Sequence, residues 1–183
     1  MAVFELNRRQ VRAVQVARVT RRSPPQIFVT HTSISKTLLK RIESVIKKEN
    51  VRLVIANQAR SELNLIDKIS RAVGVSDALF VVLTKNTLRK RSTRDWILFE
   101  VGVANAIWKN LTAKVTKQYT IFAWKDVKLK LPNDGPIKLL AEYQPLNTRS
   151  KRSIDAMLNE MQSIARNISL VSKIQRLVNA PFK

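Results

Sequence analysis

Glu100 is the one carboxylate in the stretch from Trp96 to Trp108, WILFEVGVANAIW, where only Asn105 shares its polarity. Moving an ionised carboxyl into apolar surroundings costs several kcal/mol unless a partner compensates. Glu100 is therefore either the partner of a nearby cation, with Arg89, Arg91 and Arg94 close in sequence, or a group whose unsolvated charge is used. Few other residues could share chemistry with it. His31 is the only histidine, which leaves no second one for a His-built metal site. The chain has no cysteine, which excludes disulfides, thiolate nucleophiles and Cys-built zinc sites and fits a reducing compartment. Its three glycines, Gly74, Gly102 and Gly135, cannot assemble a Walker loop or a GxGxxG turn. No metal site is expected.

The elements that must position Glu100 are legible from hydrophobic periodicity. IFVT (Ile27 to Thr30), VRLVIA (Val51 to Ala56), ALFVVLT (Ala78 to Thr84) and YTIFAW (Tyr119 to Trp124) read as strands. ALFVVL shows no polar alternation, so this strand is expected at the centre of a sheet, buried on both faces. Helical spacing places amphipathic helices at Ser35 to Glu49, through Leu63, Ile66, Ile69 and Val73, and from Ile154 through Ile168 towards Val178. The apolar segment holding Glu100 is a further helix, in which Gly102 is expected to allow close approach to the sheet. Strands alternating with helices imply an α/β fold: a flavodoxin-like parallel sheet flanked by helices on both faces. The reading is a basic arm over residues 1–26 and one domain over 27–183, with no internal repeat. In such folds ligands bind beyond the carboxyl ends of the strands. That places His31, Thr32 and Ser33, the run from Asn57 to Ser61, and the run from Thr84 to Asn86 on the ligand edge.

Charge adds a second theme. Lys+Arg 34 against Asp+Glu 13 gives a net +21 and a pI near 11.2, which points to nucleic acid or an acidic membrane surface as a partner. The basic residues are nevertheless dispersed, with denser runs at Arg8 to Arg22, Lys85 to Arg94 and Arg149 to Arg152, and dispersed charge also serves as a solvated face. No apolar run reaches the length of a membrane helix and the N-terminus lacks a signal-peptide pattern, so a cytoplasmic location is expected.

Three stretches together resemble the Toll/interleukin-1 receptor (TIR) domain family, especially its prokaryotic TIR-like members. IFVTHTS resembles the family's opening strand, LIDKISRAVGVSDALFVVLTKN its second helix and third strand, and DWILFEVGVANA its W-x3-E-x-G-x-A helix. The similarity covers about residues 27–125. The chain departs from the family where Thr30 replaces a serine, where no acidic residue follows His31 closely, and where Arg94 replaces a serine before Trp96. In enzymatic members the glutamate matching Glu100 cleaves the nicotinamide–ribose bond of NAD. The resemblance thus implies NAD as substrate, no required cofactor, a role in prokaryotic defence and self-association into homo-oligomers. Nicotinamide leaves from a cationic pyridinium as a neutral base, so no general acid is needed, unlike ordinary glycoside hydrolysis. A preorganised negative charge near the ribose is needed, and one carboxylate supplies it. On this reading Glu100 faces a cleft and not the core.

Each residue also has a structural role open to it. Trp96, one turn before Glu100, either stacks on the nicotinamide or packs in the core. His31 either contacts substrate or is a hydrogen-bonded strand-end histidine. Thr84 and Asn86 either touch ribose and phosphate or are good strand-end residues; Trp124 is read as packing. Two functions compete with NAD cleavage: a non-enzymatic self-association module and a basic nucleic-acid-binding protein.

Overall fold

The computed structural model of the chain describes residues 24–31, 34–55, 62–85, 91–112, 120–130 and 143–178; the basic run at 8–22 lies outside them. Five strands form one sheet: β1 (Gln26–His31), β2 (Arg52–Ile55), β3 (Ala78–Leu83), β4 (Thr120–Asp126) and β5 (Gln144–Leu146). They are joined in order by the helices α1 (Lys36–Lys47), α2 (Glu62–Gly74) and α3 (Arg91–Thr112), and α4 (Lys151–Val178) follows β5. The strand order is β2-β1-β3-β4-β5 and every pairing is parallel, which is the flavodoxin-like arrangement expected from the alternation.

Strand alternation sorts the core into two layers. Ile27, Val29, Phe80, Val82 and Trp124 face one way, onto Leu38, Ile42 and Ile46 of α1 and Met157, Leu158, Met161 and Ala165 of α4. Phe28, Leu79, Val81, Leu83 and Ala123 face the other way, onto Ile69 and Val73 of α2 and Ile97, Val101, Val103 and Ala104 of α3. All six residues of β3 are buried, as its unbroken apolar sequence requires of a central strand covered on both sides. Trp124 is packing, as expected: it meets Phe80 edge-on at 5.2 Å, and its indole Nε1 donates to Glu160 of α4 at 2.8 Å.

Local chemistry ends the elements where the periodicity does. The Ser35 hydroxyl caps α1 by accepting from the Leu38 amide at 3.1 Å, a contact typically worth about 1 kcal/mol. Beyond α1 the chain reverses through Asn50, whose φ of 57° is the left-handed conformation asparagine tolerates best among residues with a Cβ. At the amino edge of the sheet, Gln26 and Asp77 clamp β1 to the start of β3. The Asp77 amide donates to the Gln26 carbonyl at 2.7 Å, and the Gln26 amide donates to Asp77 Oδ2 at 2.7 Å. The Gln26 side chain continues the network by donating to Ser76 Oγ at 2.9 Å and to the Ala72 carbonyl at 3.1 Å. This clamp sets Ile27 opposite Ala78, and so fixes which residues of β1 and β3 reach the carboxyl edge together.

Two features differ from expectation. The segment after β4 contains a short edge strand, β5, that carries Pro145; proline is tolerated on an edge because it lacks only a donor the neighbour does not need. Gly102 does not mediate a close approach, since a Cβ built there meets nothing within 4 Å.

Candidate active site

In the 2-1-3-4-5 order the chain leaves β1 towards β2 and leaves β3 towards β4, so a crevice opens between the carboxyl ends of β1 and β3. Thr30 and His31 end β1 there, paired with Val81 and Val82 of β3. Alternation sends their side chains to opposite faces. Thr30 shares its face with Phe28, towards α2 and α3, whereas His31 continues the side of Ile27 and Val29, towards α1 and α4.

Glu100 comes to this crevice from α3. It is only 3% exposed, and the Thr30 hydroxyl donates a hydrogen bond to its carboxylate. Its helical neighbours Ile97, Val101, Val103 and Ala104 are buried and apolar, so nothing described on its own face compensates its charge. Burial dominates its titration and pushes its pKa up to about 7, while the bond from Thr30 pulls the other way. Among the described residues Glu100 has no cationic partner, so none of them fills the ion-pair role; Arg89 and the side chains of Arg91 and Arg94 lie outside the description. The carboxyl expected to face a cleft comes to this crevice and, at 3% exposure, is enclosed there.

His31 stands at the same edge but across the sheet from Glu100. Its Nδ1 is buried without a hydrogen-bond partner among the described residues, and burial holds its pKa below the usual histidine value, which favours the neutral ring. Thr84 is buried one residue beyond β3. Trp96 occupies α3 one turn before Glu100, and its side chain lies outside the description. Thr32, Ser33, Asn57 and Asn86 lie outside the described residues. The structure thus joins Glu100 to Thr30, a residue that sequence reasoning treated only as a departure from a family pattern. The available signal was its place two residues after Phe28, on the same strand face and at the strand's end.

The arrangement holds a carboxyl in a low-dielectric pocket with one hydroxyl that favours its charged form. Such a group is half-ionised near neutrality, and no cation among the described residues settles its charge. A ligand bringing positive charge to it would lower its pKa, and be held more tightly for that. No cluster of His, Cys, Asp and Glu suited to a metal ion exists among the described residues. Among the described residues no helix is long and apolar enough to cross a membrane. Compared with known proteins, the chain matches no family model and no curated sequence.

Proposed function

We propose that this chain is a TIR-like domain that cleaves NAD at the nicotinamide–ribose bond, with Glu100 as the charge that stabilises the ribosyl cation. The observation that carries this reading is a carboxyl only 3% exposed, at the β1/β3 crossover, held by a neutral hydroxyl. In the reaction the C1′–N bond breaks and its electron pair stays on nicotinamide, which departs neutral. The ribose then takes hydroxide from water, whose second proton goes to solvent, or is captured by a nucleophile on the same molecule. Glu100 acts by charge alone and can hold the ribose hydroxyls. Thr84 and Trp96 are candidates for substrate contacts near it, and His31, across the sheet, for a substrate that reaches over the carboxyl edge; Thr32, Ser33, Asn57 and Asn86 are candidates by sequence position. Because Glu100 is enclosed in this state, turnover requires an opening around it, as in a resting enzyme that assembly or a partner activates. Nicotinamide release by concentrated wild-type protein, absent in Glu100→Gln, is the test.

A second reading, a self-association module without catalysis, draws on α4. Leu170, Val171 and Ile174 are 49%, 47% and 59% exposed on adjoining helical positions, an apolar strip available to another copy. Association that grows with concentration, without nicotinamide release, would favour it.

A further inference from the structure

The carboxyl edge of the sheet holds a second feature, beside the Glu100 crevice. Six exposed cations gather where β3, β4 and β5 end: Lys85 after β3, Lys128 and Lys130 after β4, and Arg149, Lys151 and Arg152 between β5 and the first turn of α4. Their loops are tied together by Asp126, the buried last residue of β4. Its Oδ1 accepts from the Lys128 amide at 2.9 Å and its Oδ2 from the Thr148 hydroxyl at 2.5 Å. The Val127 amide donates to the Leu146 carbonyl at 2.8 Å, and the Arg149 amide to Asn147 Oδ1 at 3.0 Å. Burial raises the Asp126 pKa, but the hydrogen bonds from Thr148 and Lys128, with a smaller contribution from the charge of Lys85, hold it below the usual carboxylate value.

Among the described residues no ion pair balances the charge of this ridge. Both oxygens of Asp126 are engaged by hydrogen bonds, and none of the six cations has an ion-pair partner among the described residues. Three cations elsewhere do: Arg41 meets Asp155, Lys47 meets Glu43 and Arg166 meets Glu49. Lys151 and Arg152 open a 28-residue helix whose first turn contains no acid. That is the end of a helix where cations are disfavoured. Cations spread only for solubility have no reason to collect there.

We infer that this ridge is a docking surface for a nucleic-acid backbone. A row of exposed Lys and Arg along one rigid edge matches a run of phosphates, where binding releases condensed counterions. The ridge's centre, at β4, lies roughly 7 Å along the sheet from the middle of the β1/β3 crevice, at one and a half strand spacings, so the ridge borders that crevice at Lys85 and runs away from it towards β5. An anionic membrane fits it less well, because among the described residues the large hydrophobic exposed here is Val127 alone, the other three such residues being at the far end of α4.

The experiment compares two variants that each remove four charges. One combines Lys128→Ala, Lys130→Ala, Arg149→Ala and Arg152→Ala on the ridge. The other combines Lys40→Ala, Lys48→Ala, Arg52→Ala and Arg71→Ala, all exposed and away from it. Binding of a short mixed-sequence DNA duplex and of phosphatidylserine vesicles is measured across a salt series, with thermal melts on the same samples. The ridge variant should lose more than tenfold in duplex affinity. Its slope of log K against log salt should be shallower by about 3 to 4, from roughly 0.9 per phosphate contact. The control should stay within about threefold of wild type, and the ridge variant should melt at or above wild type. Equal losses in both variants, absence of duplex binding at low salt, binding to vesicles alone, or a ridge variant that melts lower would each overturn the inference.

Discussion

The hydroxyl of Thr30, at the carboxyl end of β1, donates to the carboxylate of Glu100 on α3, joining the central part of the sheet to its covering helix at the strand-order crossover. Both residues are at most 3% exposed, so the bond operates where water does not compete with it.

Removing that bond should raise the Glu100 pKa further above its present value near 7, because the hydroxyl stabilises only the charged form. A hydrogen bond to a charged group is worth about 1.5–3 kcal/mol, which corresponds to roughly one to two pH units. Thr30→Val should show that shift and Thr30→Ser should largely restore the wild-type value. Carbon-detected NMR titration of the Glu100 carboxyl reads it directly. An unchanged titration in Thr30→Val would mean the hydroxyl does not govern the carboxyl.

The raised pKa also sets a stability trend with a definite sign. Between the unfolded value of 4.5 and the folded value of about 7, the folded chain binds more protons than the unfolded one at Glu100. Stability from this group is therefore greatest below pH 4.5 and is lost as pH rises to 7, by a total on the order of 3 kcal/mol. Glu100→Gln has no charge to bury. It should match wild type within about 1 kcal/mol near pH 4.5 and exceed it by on the order of 3 kcal/mol at pH 8. Urea melts of both proteins across this range measure the difference. A Gln variant less stable than wild type at pH 8 would show that a cation outside the described residues pairs with Glu100.

At the other end of the sheet, Asp77→Ala should leave the buried Gln26 amide without its acceptor. An unsatisfied buried donor costs about 1–3 kcal/mol, and because Gln26 and Asp77 set the β1/β3 register, the loss should reach the candidate site. Denaturant midpoints and amide exchange of Thr30 check it: faster exchange at Thr30 is expected. A stability change below about 0.5 kcal/mol, the range of an ordinary surface substitution, would mean the clamp is dispensable.

Much of this fold was legible because its core is patterned without conflict. ALFVVL could only be a doubly covered strand, and Leu38, Ile42 and Ile46 could only face one way from a helix. The edge strand β5 escaped notice because three residues containing Pro145 carry neither alternation nor β-propensity, and tertiary pairing with β4 alone makes them a strand. Glu100 stood out in sequence as an isolated carboxylate, but what it touches did not. Thr30 is 70 residues away, and only the parallel register and the covering of β1 by α3 bring them together. The same register separates His31 from Glu100, although a list of edge residues grouped them.

NAD turnover as a function of pH, in wild type and in Glu100→Gln, tests the central claim most directly. Concentrated wild-type protein should release nicotinamide, with kcat/KM rising through an acid limb near pH 7 as Glu100 ionises. Glu100→Gln should remain folded and lose roughly 100- to 1,000-fold in rate, the usual consequence of removing one preorganised electrostatic group. Undiminished nicotinamide release by a folded Gln variant, or no release by concentrated wild-type protein at any pH, would contradict the assignment of Glu100 as the charge that cleaves NAD.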